Sequence, residues 1–289
     1  MSTAAYLRDA RRERQFYLAL ALPALLLIGL AAIVPVLWIL RQSFLTIGGS
    51  FSTINYEKVL FSSLTWSALG TTLALSGTTL LICMILGIPL ALTLASTSKR
   101  IANRVLILIM LPLWTSILVR TYGWLVLLRK DGLVNSTLKS LGLIDAPMPL
   151  VYNFNGTLIG MVHYMLPLFV LPVYAAMRDI DGNVIRAAAS MGASLWHCVR
   201  TVILPLSAGG ILSGSTIVFI YTLGFFITPA VLGGGKVNPI SIRIDRTLST
   251  FQDWGSASAL GILLLILVLL TGGMLYVTRW YLTRDTSHA

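Results

Sequence analysis

Charge is what this sequence has least of. Only 11% of its 289 residues are Asp, Glu, Lys or Arg, while 56% are hydrophobic. A soluble domain carries roughly 25% charged residues, so the chain reads as an integral membrane protein rather than a soluble one with a large core. A mean hydropathy of +0.86 points the same way. Acidic groups are scarcest, ten against 21 Lys and Arg, for a formal net charge of +11. In so apolar a chain the basic residues are read as loop residues that set membrane topology, and no nucleic-acid partner is expected. Cysteine is nearly missing as well. Cys83 sits in an apolar run and Cys198 in a polar segment, and the pair does not read as a disulfide.

Other absences narrow the chemistry. No Asp or Glu falls inside any long apolar run, which disfavours a proton-driven carrier, since such carriers use intramembrane carboxylates as relays. There is no HExxH, no paired Cys/His spacing and no GxxxxGK[ST] phosphate loop. No catalytic residue, no metal site and no cofactor bound by this chain is therefore expected. Low-complexity tails and 20–50-residue repeats are also missing, so residues 1–289 read as a single transmembrane domain.

An α-helical span needs roughly 20 apolar residues. Six runs meet this: 16–40, 68–96, 105–128, 156–177, 202–228 and 257–278. The first follows a basic stretch, as a signal peptide would, but it exceeds an h-region of about 7–15 residues and is read as a retained span. The third is the least clean, because Arg104 and Arg120 bracket only fifteen uncharged residues. Arg8, Arg11, Arg12 and Arg14, Lys99, Arg100 and Arg104, Arg178, Arg186 and Arg200, and Arg279 and Arg284 are twelve of the 21 basic residues, gathered in short segments on one side. The positive-inside rule makes that side cytoplasmic, both termini included. Loops 41–67, 129–155 and 229–256 are then external, with Tyr56, Trp66, Tyr152 and Trp254 at interfacial positions. The expected class is an all-α integral membrane protein with six transmembrane helices.

Between the fourth and fifth spans lies a cytoplasmic segment, 178–200, richer in small and polar residues than a connector needs. Its Ala187-Ala188-Ala189 run, Gly192, Ala193, Ser194 and then Leu204-Pro205 predict a short helix, a sharp bend and a second helix. That is a shape made to enter a groove of another protein.

Within the membrane several residues admit two readings. Arg120 either snorkels to an interface or lines a path. His163 is either a neutral imidazole bonded to a neighbouring helix or a solute contact. Pro112, Pro167, Pro172 and Pro205 set either packing geometry or hinges. Gly210-x-x-x-Gly214 permits close helix approach inside the subunit or against a partner. Tyr221, Phe225 and Phe226 either pack or line a path for an organic cation through cation–π contacts.

The 186–205 segment resembles the cytoplasmic EAA loop of ABC importer permeases, with Ala187, Ala188, Gly192, Leu204 and Pro205 in matching positions. Leu111-Pro112-Leu113-Trp114-Thr115-Ser116 followed by Arg120-Thr121-Tyr122, Gly132-Leu133-Val134-Asn135, Leu166-Pro167, Leu171-Pro172-Val173-Tyr174, and Phe226-Ile227-Thr228-Pro229 with Leu232-Gly233-Gly234 resemble the B-type permease of spermidine/putrescine importers. The likeness runs from about residue 55 onward.

The resemblance implies a type I ABC importer permease fold with a cytoplasmic coupling helix, in the bacterial cytoplasmic (inner) membrane. It implies a second related permease, giving a heterodimer, two copies of a cytoplasmic ATPase that uses ATP and Mg, and a periplasmic solute-binding protein. Arg186, Ala187, Ala188, Gly192, Ala193, Ser194, Leu204 and Pro205 would couple to the ATPase. Trp114, Arg120, Tyr122, His163, Tyr221, Phe225 and Phe226 would line the path. The expected solute is a polyamine, with an opine, a quaternary amine or another small organic nitrogen compound as the alternative and a stand-alone secondary carrier as a distant one. Two departures stand out. Arg186 occupies the motif's glutamate position, so that either the partner surface has changed, or Asp179 or Asp181 compensates, or the arginine serves membrane topology alone, and Ala230 follows Thr-Pro where an acidic residue is usual.

Overall fold

The computed structural model describes the backbone of residues 3–46 and 48–285, and the side chains of residues 13, 16–46 and 48–277. The topology-setting Arg8, Arg11, Arg12, Arg14, Arg279 and Arg284 lie outside the described side chains. Among the described residues the chain is helical, with a lone bridge between Leu45 and Phe51.

Four helices are long and apolar enough to cross a membrane: α1 (Thr3–Ser43, apolar from Phe16), α3 (Ser63–Ser96), α7 (Phe154–Arg178) and α14 (Trp254–Asp285, apolar to Val277). Short α2 (Ile54–Leu60) precedes α3. The third and fifth expected spans are not continuous helices. The 105–128 run divides into α4 (Lys99–Met110), a 3₁₀ turn (Leu111–Trp114) and α5 (Ile117–Leu128), continued by α6 (Leu133–Ser140), with a 98° bend at the break. Pro112 lacks an N–H for an α-helical ladder. Thr115 then turns extended, and α4, at 1.5 Å per residue, is only about 18 Å long. The 202–228 run starts in a π-helical turn, bends by 66° at Ser207 and leaves α-helix at Leu223. Counting each bent pair as one span gives six.

The centre is a tight packing of α3, α7 and α11 (Ala208–Leu223). Phe169, Met161, Met165, Val170, Val173, Leu75 and Val218 are fully or almost fully buried there. Glycines permit the approach. A Cβ on Gly87 would strike the Phe169 ring, one on Gly214 would lie 2.9 Å from the Phe169 carbonyl, and one on Gly210 would lie 2.5 Å from the Pro172 carbonyl. The Gly210–Gly214 stripe is thus consumed inside the subunit, against α7. Both cysteines are free.

Buried asparagines fasten two of the loops between spans. Asn55 Nδ2 donates to the carbonyls of Ser43 (3.0 Å) and Leu45 (2.9 Å). Asn135 Nδ2 donates to Arg129 and Met148 carbonyls, both at 3.0 Å, while its Oδ1 accepts from Met148 N at 2.8 Å. Helix α12 (Ile227–Leu232) packs on α5, and α13 (Ile240–Ser249) is tied to α3 by Ile240 N donating to Thr72 Oγ1 at 2.9 Å. In contrast, α1 packs chiefly on α14 and leaves most of its apolar surface uncovered.

Candidate functional site: a bent loop and an aromatic cluster

The polar segment forms α8 (Gly182–Ser190), a bend, α9 (Leu195–Cys198), the π turn Val199–Ile203 and α10 (Leu204–Leu206). Asp181 caps α8, its side chain accepting from Asn183 N at 2.9 Å. The end of α8 is a Schellman motif: Ala193 N donates to Ala188 O (3.1 Å) and Gly192 N to Ala189 O (3.0 Å). Gly192 has φ +83°, with open space where a Cβ would stand. The glycine is therefore required by backbone handedness and not by crowding. Ser194 starts the second helix, its Oγ accepting from His197 N at 3.3 Å.

Pro205 explains the π turn. It has no N–H for the Thr201 carbonyl and its ring crowds that turn. The backbone widens, and Leu204 N donates to Val199 O, five residues back. The stretch Leu195–Leu206 then meets α11 at the 66° bend, where Ser207 Oγ donates to the carbonyl of Ile203 (2.7 Å). The loop is thus continuous with α11 through this corner.

Sidedness within the loop is sharp. Ala188 is buried, whereas Arg186, Ala187, Gly192 and Leu195 are exposed. Met191, Leu195 and Trp196 are 84%, 86% and 70% exposed, an apolar collar that a water-facing surface does not normally display. A concavity of ≈ 520 Å³ at the bend is lined by Ala188, Met191, Gly192, Ser194 and His197, among others. Arg178 takes no part in this surface. Its Nη1 donates to the carbonyls of Ala95 (2.8 Å) and Thr97 (3.2 Å), closing the end of α3.

In the membrane, Arg120 lies with Cζ 4.5 Å from the centroid of the Tyr164 ring. Its Nη2 donates to Thr115 O at 3.2 Å, while Nε and Nη1 are buried without a partner. Tyr164 also meets Phe225 (centroids 5.5 Å) and Tyr221 (6.1 Å). Next to it Trp124 Nε1 donates to His163 Nδ1 at 3.1 Å. One layer thus joins α5, α7, α11 and the strand of chain after it.

Of the path residues expected from sequence, Arg120, Tyr221 and Phe225 converge on Tyr164, and His163 sits beside them. Trp114, 89% exposed, and Tyr122 lie outside the layer, as does Phe226, which opens α12. Tyr164 and Trp124 were not singled out by sequence. The four-residue spacing of Arg120 and Trp124, which puts both on one helix face, was the available signal.

A helical multi-pass protein with a bent, partner-shaped loop between its fourth and fifth spans is a permease subunit of the type I ABC importer class. The chain belongs to the family of binding-protein-dependent transport system inner membrane components, which it matches over residues 84–279. It is 32% identical over 249 residues to the PotB spermidine/putrescine transport system permease protein of Haemophilus influenzae, covering 82% of this chain and 86% of that one. It is 30% identical over 256 residues to the PotB protein of Escherichia coli K12, with 86% and 91% coverage. Among solved structures it is similar to a bacterial alginate ABC transporter in complex with an alginate-loaded periplasmic protein (TM-score 0.74, 19% identity, 96% and 97% coverage). It is also similar to the MetNI methionine ABC transporter (TM-score 0.56, 18% identity, 76% and 96% coverage). The relatives are transport permeases and not enzymes, so ATP hydrolysis belongs to a separate ATPase.

Proposed function

We propose that this chain is one half of the translocation path of an importer for a small organic cation, a polyamine such as spermidine or putrescine. It pairs with a second, related permease. Two ATPase copies, which bind ATP and Mg, dock on the two coupling loops, and a periplasmic solute-binding protein delivers solute to the outer face. Both termini are cytoplasmic.

The observation that carries the coupling role is the loop itself. Its positive-φ bend at Gly192, exposed apolar collar and direct helical continuation into α11 offer an ATPase a handle on a path-lining helix. ATPase closure would move the loop as a rigid body and tilt α11 about Ser207. Arg186, Ala187, Gly192, Ala193 and Ser194 form the docking part, Ala188 lies buried beneath it, and Leu204 and Pro205 form the corner.

The polyamine reading is supported by relatives at 30–32% identity and by the aromatic layer of Tyr164, Tyr221 and Phe225, whose faces attract ammonium groups. A second reading has its own observation. Arg120 already occupies the face of Tyr164, no carboxylate stands in the layer among the described residues, and with Ala230 in it α12 carries no charge. These features favour a solute that carries a carboxylate beside its amines, such as an opine. The fold does not decide between them, since its solved neighbours are named for alginate and methionine. Calorimetry on the cognate binding protein against spermidine, putrescine, quaternary amines and opines separates the readings. Polyamine binding is the expected result, and failure of both polyamines with tight opine binding would overturn it.

A further inference from the structure

We propose that the ATPase groove receiving α8 presents an acidic side chain to Arg186. The proposal rests on the coupling role given above and specifies the chemistry of its partner.

Arg186 projects from α8, exposed, while Ala188 on the same helix is buried, α8 packing on α9 and the π turn. Its guanidinium makes one hydrogen bond, Nη2 to Asn183 Oδ1 at 2.7 Å. A guanidinium has five N–H donors, so most remain for a partner. The single bond still orients it: Asn183 sits one turn earlier and holds the head along the exposed N-terminal half of the helix.

Compensation from within the loop is indirect: Asp181 and Arg186 act on each other through space without forming an ion pair. Among the described residues the recorded salt bridge joins Arg129 to Asp131, and none joins Arg186 to Asp179 or Asp181. The Asp181 carboxylate is engaged elsewhere, accepting from Asn183 N at 2.9 Å and Asn183 Nδ2 at 3.3 Å. Asn183 stands between the two charges as donor to one and acceptor from the other.

The surroundings add positive charge. Lys99, Arg100 and Arg104 are exposed on α4, which has no acidic residue, and Arg200 is exposed beyond α9. A basic groove docking here would place like charges together, which costs several kcal/mol at a close interface. The collar of Met191, Leu195 and Trp196 would exclude water around the contact and strengthen whichever sign of interaction Arg186 makes.

The test titrates the cognate ATPase against the permease pair held in lipid nanodiscs, for wild type and for Arg186→Glu, Arg186→Ala, Arg186→Lys and Gly192→Trp. Arg186 is exposed, so its variants are expected to fold, and size-exclusion profiles of the nanodiscs check this. Arg186→Glu is expected to weaken ATPase binding by about tenfold or more, with Ala intermediate and Lys close to wild type. Raising salt should weaken the wild type and affect Arg186→Ala less. Equal or tighter binding by Arg186→Glu overturns the proposal and leaves the guanidinium to the anionic lipid surface. The coupling role fails separately, if Gly192→Trp binds the ATPase as wild type does.

Discussion

The Arg120 guanidinium lies 4.5 Å over the ring of Tyr164, and this contact fastens α5 to the α7–α11 core at the level where aromatic residues gather. A cation over an aromatic face is worth about 0.5–2 kcal/mol depending on desolvation. A double-mutant cycle with Arg120→Met and Tyr164→Leu, read as thermal stability of the purified permease pair, should show a coupling of that size. Tyr164→Phe keeps the ring face and should retain most of it. A coupling near zero would mean that the two side chains are neighbours without mutual stabilisation.

Trp124 fixes the neighbouring histidine. Its Nε1–H donates to His163 Nδ1, so the neutral imidazole must carry its proton on Nε2. Nitrogen NMR of ¹⁵N-histidine-labelled protein should report that tautomer for His163. Trp124→Phe, which keeps a ring but removes the donor, should yield a mixture of tautomers. An Nδ1-protonated wild type would contradict the hydrogen bond.

Gly192 and Gly87 are required for different reasons and should respond differently. At Gly192 the φ of +83° is the constraint, with no neighbour within 4 Å of a built Cβ. Asn tolerates left-handed backbone and should preserve ATPase stimulation by the solute-loaded binding protein, whereas β-branched Val should lose most of it. Helicity of the loop, followed by hydrogen exchange, should fall in Gly192→Val.

At Gly87 the constraint is the Phe169 ring, and at Gly210 it is the Pro172 carbonyl and Ala176 Cβ. Overpacking costs about 1–3 kcal/mol. Gly87→Ala should be rescued in part by Phe169→Leu, because a side chain can yield. Gly210→Ala faces backbone and should find no comparable suppressor. Melting temperatures of the single and paired variants check both statements.

Asp181 gives the loop a dependence on acid. Hydrogen bonds from Asn183, backbone first and side chain second, hold its carboxyl below the usual aspartate value, with Arg186 adding to the effect. A depressed folded value means that the stabilisation is present above the unfolded value of about 3.9 and disappears as pH falls through the folded one. Amide exchange of the first turn of α8 should therefore quicken relative to the rest of the loop below about pH 4. Asp181→Asn keeps a capping oxygen and should remove that pH dependence.

Much of this architecture was legible in the sequence, because a bilayer-length apolar run is a strong one-dimensional signal. The two breaks were not. Pro89, Pro167 and Pro172 sit inside continuous helices, so Pro112 and Pro205 carried no distinguishing mark. What sets them apart is backbone geometry that hydropathy does not encode, an extended Thr115 in one case and a π turn in the other. The bend at Gly192 was legible, since alanines followed by a glycine at helix-end spacing are local information. The aromatic layer was half legible. Tyr221 and Phe225 stood out within one apolar run, but Tyr164, which joins them to Arg120, comes from another and needed the packed fold.

The central claim is that the loop at Gly192 carries the energy of ATP to α11. The most direct measurement is uptake of labelled spermidine into proteoliposomes holding the permease pair, ATPase and binding protein, for wild type and Gly192→Trp. Uptake in the wild type only with ATP, and its loss in Gly192→Trp with ATP turnover no longer driving transport, is the predicted result. Equal ATP-driven uptake by Gly192→Trp, or uptake by the permease alone under an ion gradient, would contradict it.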